Sequence, residues 1–223
     1  MATLTVFPDA GSGATTVDGN IQRSGVDEAF GTIRGGAGTT ANTTLASPMT
    51  KVTSSATSNQ YTEIRRCIFT FDTSALTSSA TISAAVLSLK GVDAYTTFST
   101  SPEIDIVAST PAANNTLATG DYAQLGATPF SSITLAGYST SAYNDFTLDA
   151  GGIANISKTS ISKFGCRVNW DTDNSAPTWG NSQEGAFQFA SADTAGTTSD
   201  PKLVITYTIA SASVHYLLTL GVG

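Results

Sequence analysis

The amino-acid sequence predicts an all-β protein: an antiparallel β-sandwich with jelly-roll topology and at most one short helix. Three observations carry this. Apolar and polar residues alternate with period two in one segment after another, which puts one face of each segment in a core. The polar surface is built from hydroxyls, with 27 Ser and 36 Thr, and β-branched threonine suits a pleated, half-wet surface. Lys, Glu and Met, which build helices, are few, while 20 Gly punctuate turns.

The elements follow in order. TLTVF (3–7) opens the chain as a strand. A Gly-rich polar stretch runs from Pro8 to Ser58, with one weak strand expected near Ala29–Arg34. YTEIRRCIFTFD (61–72) reads as a long strand, TSALTSSA as a turn, and TISAAVLSLKG (81–91) as a strand with Ala85, Leu87 and Leu89 on one face. EIDIVAST (103–110) alternates through Ile104 and Ile106. PAANNTLATGDYAQLG is a polar connection with room for one helical turn. SSITLAGY (131–138) and NDFTLDA (144–150) are strand-like. GGIANISKTSIS suits a short helix, since Ile153 and Ile156 share a helical face. SKFGCRVNWD (162–171), EGAFQFASA (184–192) and PKLVITYTI (201–209) complete the set. About ten short strands without a 20–50-residue repeat fit a sandwich with Greek-key or jelly-roll links.

The 223 residues suit one large domain, read here as 1–210, plus an appended segment 211–223. That last segment, SASVHYLLTLGVG, is apolar, with Val214, Tyr216, Leu218 and Leu220 on one face of an extended chain. It reads either as one more strand of the sandwich or as a docking strand that adds to a neighbouring subunit's sheet edge. Forty per cent of the residues are hydrophobic and only 12% charged. The formal net charge of −7 argues against nucleic acid, which needs clustered Lys and Arg, and Arg65–Arg66 is the one adjacent basic pair. No stretch approaches the ~20 apolar residues of a membrane span. The start, MATLTVFPDA, lacks a basic n-region and an apolar h-region, so either this is the mature form or the protein leaves its cell another way, of which release with a virus particle is one.

Three stretches together resemble a family. In RRCIFTFDTSALTSSATISAAVLSLKG, the positions Arg66, Phe71, Asp72, Ile82, Ala85, Leu87 and Leu89 resemble the hallmark of DNRLRE-type jelly-roll domains. NDFTLDAGGIANI followed by KFGCRVNW looks like the family's Asp-x-Thr strand and its successor. SADTAGTTSDPKLVITYT is similar to its closing strand, and GVDEAFGTIRGGAG to its Gly-rich opening. The resemblance implies a carbohydrate-binding or matrix-associated module. The short ATLTV start, the Ser/Thr-rich strands and the apolar C-terminus are also similar to tailed-phage virion proteins.

Candidates for chemistry are few. The one histidine, His215, lies in the apolar C-terminal segment, and no G-x-S-x-G elbow surrounds a serine, so a Ser–His–acid triad is not expected. Cys67 and Cys166 fit no zinc or redox motif and read as small buried hydrophobes, with an inter-sheet disulfide as the alternative. Asp171 and Asp173 lie in NWDTDNSAPTWG between Trp170 and Trp179. Trp170 continues the core parity of its strand. Trp179, Asp171 and Asp173 are the candidate sugar site, because sugar C–H faces stack on Trp and hydroxyls bond to carboxylates; the alternative is a solvated turn. The same loop, or Asp9 with Asp18, could supply oxygen ligands to a structural Ca²⁺, though EF-hand spacing is absent. Asp72 is expected to cap the TSAL turn. Of Arg65 and Arg66, one is expected in solvent and the other paired with a carboxylate at the sandwich edge. The N-x-S/T triplets at Asn42, Asn114 and Asn155 are chance in so Thr-rich a chain.

These readings converge on a non-enzymatic structural or adhesive protein of a virus particle: a capsid decoration, head fibre or tail accessory subunit. Its expected partners are other virion subunits, its own copies and surface polysaccharide. The alternative is a secreted, extracellular carbohydrate-binding module. An enzyme would need a cleft with two facing carboxylates or a Tyr–Lys/Arg pair, to which nothing in the sequence points.

Overall fold

A computed structural model describes residues 1–11 and 15–209. The expected segments at 3–7, 61–72 and 201–209 become β1 (Ala2–Val6), β5 (Tyr61–Asp72) and β12 (Lys202–Ile209). Between them lie β2 (Asp18–Glu28), β3 (Thr40–Asn42), β4 (Met49–Ser54), β6 (Ala80–Thr96), β7 (Glu103–Ala108), β8 (Ser131–Thr134), β9 (Tyr143–Thr147), β10 (Ile161–Val168) and β11 (Glu184–Phe189). Three short helices join them: α1 (Phe30–Gly35), α2 (Ala150–Ala154) and α3 (Asn169–Thr172). The chain is all-β and every strand pairing is antiparallel.

Two strands shape the sandwich. β6 pairs with β12 and β9 over its first half and with β11 over its second, so it belongs to both sheets. It crosses between them at Gly91. A Cβ there would lie 1.9 Å from the Ser139 carbonyl oxygen, a contact only glycine avoids. β5 is the second shared strand. It pairs with β2 through most of its length, with β4 over Tyr61–Arg65, and with β10 over Cys67–Asp72. β7 and then β8 continue from β10, while β1 closes the far side against β12. These non-local pairings wrap one sheet over the other, as a jelly roll requires.

The core lies between the sheets. Leu87, Leu89, Leu203, Ile205, Phe69, Phe71, Phe164, Phe187 and Phe189 are fully buried. Edge-on aromatic contacts knit it: Phe71 and Phe164 centroids lie 6.4 Å apart, and Tyr138 and Phe187 5.1 Å apart. Each such side chain contributes about 1.5–3 kcal/mol through burial. Cys67 and Cys166 stand directly opposite each other on β5 and β10, buried and unbonded.

The structure departs from sequence expectation mainly before Ser58. The weak strand expected at 29–34 is instead α1, whose Phe30 and Ile33 turn one helical face into the core. β2, β3 and β4 occupy a stretch read as turn-like. Helical structure also exceeds the single short helix expected. In β12 the alternation holds through Leu203 and Ile205, but a register shift after Thr206 leaves Ile209 half exposed. The docking residues Val214, Tyr216, Leu218 and Leu220, and His215, lie outside the described residues.

Candidate functional site

The densest charge constellation forms where β10 runs into α3. β10 is buried on both faces, so Arg167 enters the interior; four residues later, on α3, Asp171 turns back towards it. The Asp171 carboxylate receives Arg167 through Nε to Oδ2 (2.8 Å) and Nη2 to Oδ1 (2.8 Å). It receives Arg66 of β5 in the same two-pronged way, at 2.7 and 2.8 Å. Two guanidinium forks thus share one carboxylate, all three groups essentially removed from water. Burial alone would raise the Asp171 carboxyl. The charges and hydrogen bonds of Arg66 and Arg167 outweigh it and hold the carboxyl at about 2.

The remaining donors are tied to backbone. Arg66 donates from Nη1 to the Tyr122 carbonyl and from Nη2 to the Arg34 carbonyl, and its guanidinium rests 3.8 Å above the Tyr122 ring centroid. Arg167 donates from Nη1 to the Gly126 carbonyl at 2.7 Å. A third guanidinium, Arg34 at the end of α1, donates from Nε to the Asp171 carbonyl oxygen at 2.5 Å and reaches its carboxylate at 3.6 Å. Between the three arginines opens a pocket of about 290 Å³ whose other walls are Gly35, Ala123, Leu125 and Ala127.

The sequence-predicted sugar residues do not share an open face. Asp171 is withdrawn from the loop and spent as an interior counter-ion, so its role as a sugar ligand is corrected: both its oxygens already accept from arginine. Asp173 is exposed. Trp179 is half-buried, and its indole Nε1 is enclosed without an acceptor among the described residues. The loop carrying it is fastened to the sandwich where the Tyr61 hydroxyl donates to the Pro177 carbonyl (2.7 Å) and Ser54 Oγ to the Gly180 carbonyl (2.5 Å). Trp170 is core, stacked edge-on against Phe98 at 5.0 Å.

Of the residues considered for Ca²⁺, Asp9 accepts from the Thr15 and Thr16 amides and the Thr16 hydroxyl. Asp18 is fully buried, accepts the Ala192 amide through Oδ2, and has no donor for Oδ1. Burial, then repulsion from Asp193 and Asp200, raises its carboxyl to about 7 against the Ala192 hydrogen bond. Among the described residues no group of three His, Cys, Asp or Glu side chains is placed to hold a metal ion. Asp72 caps its turn as expected, accepting the Ser74 amide. Arg65 pairs with Glu63 at 2.6 Å near the surface, whereas the partner of Arg66 proves interior rather than marginal. Burial pushes the Cys67 thiol well up, keeping it protonated beside Cys166.

A second feature is an edge. Among the described residues the outer edge of β1 has no partner strand. At the same corner, Met1 and Ile209 are exposed and, with Ala2, Tyr207 and Thr208, line a shallow hollow where the chain leads into residues 210–223. The chain matches no known protein family and no curated protein.

Proposed function

We propose that this protein is a non-enzymatic structural and adhesive subunit of a virus particle, a capsid decoration, head fibre or tail accessory part, that assembles with its own copies. One observation carries the reading: the outer edge of β1 stands unpartnered among the described residues, beside exposed Met1 and Ile209, where the chain continues into its apolar end. An unpaired edge presents a row of backbone donors and acceptors that a further strand can extend. Residues 210–223, with Val214, Tyr216, Leu218 and Leu220 on one face, supply such a strand to the β1 edge of the next copy. A heterologous contact of this kind closes into rings or extends as fibres. The low charge and hydroxyl-rich surface suit a subunit surrounded by others.

Light scattering on the full chain tests this. Assembly is expected for the wild type. Folded monomers are expected for Leu218→Asp/Leu220→Asp, and for Thr3→Lys/Thr5→Lys, which places charge on the β1 edge. A monomeric wild type overturns the assembly reading, and unchanged assembly of the edge variant overturns the role of β1. Immunogold labelling of particles tests the virion assignment. The alternative, a secreted module gripping polysaccharide through Trp179, Asp171 and Asp173, is weakened by the withdrawal of Asp171 into the interior.

A further inference from the structure

We infer that the pocket between Arg34, Arg66 and Arg167 is a binding site for a small oxyanion: a carboxylate, sulfate or phosphate group. The inference is independent of assembly at β1.

Charge comes first. Three guanidiniums converge on one carboxylate, Asp171, leaving an excess of two positive charges at a largely dehydrated place. The next carboxylate, Asp105, stands opposite Arg167 in the β7–β10 register but forms no ion pair. Its Oδ1 accepts from Ser132 Oγ, its Oδ2 has no donor, and burial raises its carboxyl towards the neutral form. Buried charge without a counter-charge is costly, and an entering anion would offset that cost. The Arg34 guanidinium registers the crowding: burial and repulsion from Arg167 and Arg66 hold it below its ordinary value despite Asp171.

Donors come second. Arg167 is saturated, and Arg66 is fixed by Asp171, two carbonyls and the Tyr122 ring. Arg34 spends only Nε and Nη2 on the Asp171 and Thr172 carbonyls, so its Nη1 has no acceptor among the described residues. It is also the most accessible of the three, its side chain 22% exposed. A guanidinium with an unspent N–H pair, backed by two rigid positive neighbours, suits the oxygens of a carboxylate or phosphate.

Space comes third. Apart from Leu125, the pocket's other walls are the small residues Gly35, Ala123 and Ala127, and a Cβ built on Gly35 meets nothing within 4 Å. About 290 Å³ admits a sugar acid or a phosphate group. The net charge of −7 opposes anions at a distance, but screening confines that to about 8 Å at physiological ionic strength.

The test is calorimetry on the full chain with galacturonate, inorganic phosphate and galactose at matched ionic strength. At least one oxyanion should bind while neutral galactose does not. Arg34→Gln should weaken binding about tenfold or more. Gly35→Leu, which fills the pocket from a position with open space, should abolish binding while leaving the circular dichroism spectrum and Tm near wild type. Galacturonate alone binding points to the acidic unit of a polysaccharide; phosphate binding equally or better points to a free anion. The inference is overturned if neither oxyanion binds, or if binding survives both substitutions unchanged.

Discussion

Asp171 shows how one side chain can hold distant parts of a β-sandwich in register. Its carboxylate joins β5 to β10 through Arg66 and Arg167, and those arginines hold the Tyr122 and Gly126 carbonyls of the long polar connection. Asp171→Asn removes the negative charge and leaves two buried guanidiniums facing each other. The expected loss is about 3–5 kcal/mol, as for other buried pairs deprived of one partner, measurable as a lower midpoint in urea denaturation. A loss below about 1 kcal/mol would show that water compensates the arginines. In the sequence, Asp171 stood between two tryptophans in a polar run and read as a surface group. That one of Arg65 and Arg66 would be paired was legible, because they lie on opposite faces of one strand; which one was not, and both are paired. That the partner of Arg66 lay 105 residues away was not legible, and neither was Arg34, whose approach depends on α1.

At the scale of elements, strands with one wet face were legible by alternation, and β5 and β10, buried on both faces, by their apolar and aromatic runs. Period-two alternation located β12 nearly to the residue and the start of β6, whose continuation from Val92 to Thr96 it did not reach, because solvent on one side keeps the polar positions polar. β5 was legible for its apolar, β-branched and aromatic content. β2 and β4 escaped notice because their polar residues carry structural duties inside. Asp18 and Asn20 are buried in β2, and Thr50 of β4 donates its hydroxyl to the Arg65 carbonyl. In α1 Phe30 and Ile33 have helical spacing, but Gly31 and Gly35 lower helix propensity and mask that signal in the sequence. The shared strand β6 gives a prediction at this scale. Gly91→Ala places a methyl group against the Ser139 carbonyl, so β6 must shift where it crosses between sheets. A loss of about 1–3 kcal/mol in thermal or urea unfolding is expected, as for other overpacked sites. Gly35→Ala, with open space beside it, serves as the neutral control. Equal stability of the two variants would show that the crossing yields without cost.

For the whole molecule, buried carboxyls set a stability–pH curve with two opposed slopes. Asp171 is held at about 2, below its ordinary 3.8, so its contribution is complete above pH 4 and is lost as pH falls towards 2. Asp18 is raised from 3.8 to about 7. The folded state therefore keeps a proton there that the unfolded chain releases, and stability falls as pH rises from about 4 to about 7. The displacement corresponds to about 4 kcal/mol as an upper bound. Asp105, Asp193 and Asp200, raised chiefly by burial, act in the same direction. The protein should therefore be most stable at mildly acidic pH and lose stability towards neutrality. Asp18→Asn isolates the cause. The amide keeps an acceptor for the Ala192 N–H and, like the protonated carboxyl, carries no charge into the interior. Tm of the variant should vary less between pH 5 and 8 than that of the wild type and exceed it at the upper end. A wild type no less stable at pH 8 than at pH 5 would mean that Asp18 ionises in the folded protein without penalty, a result that requires water or a counter-ion to reach the cluster it forms with Asp193 and Asp200.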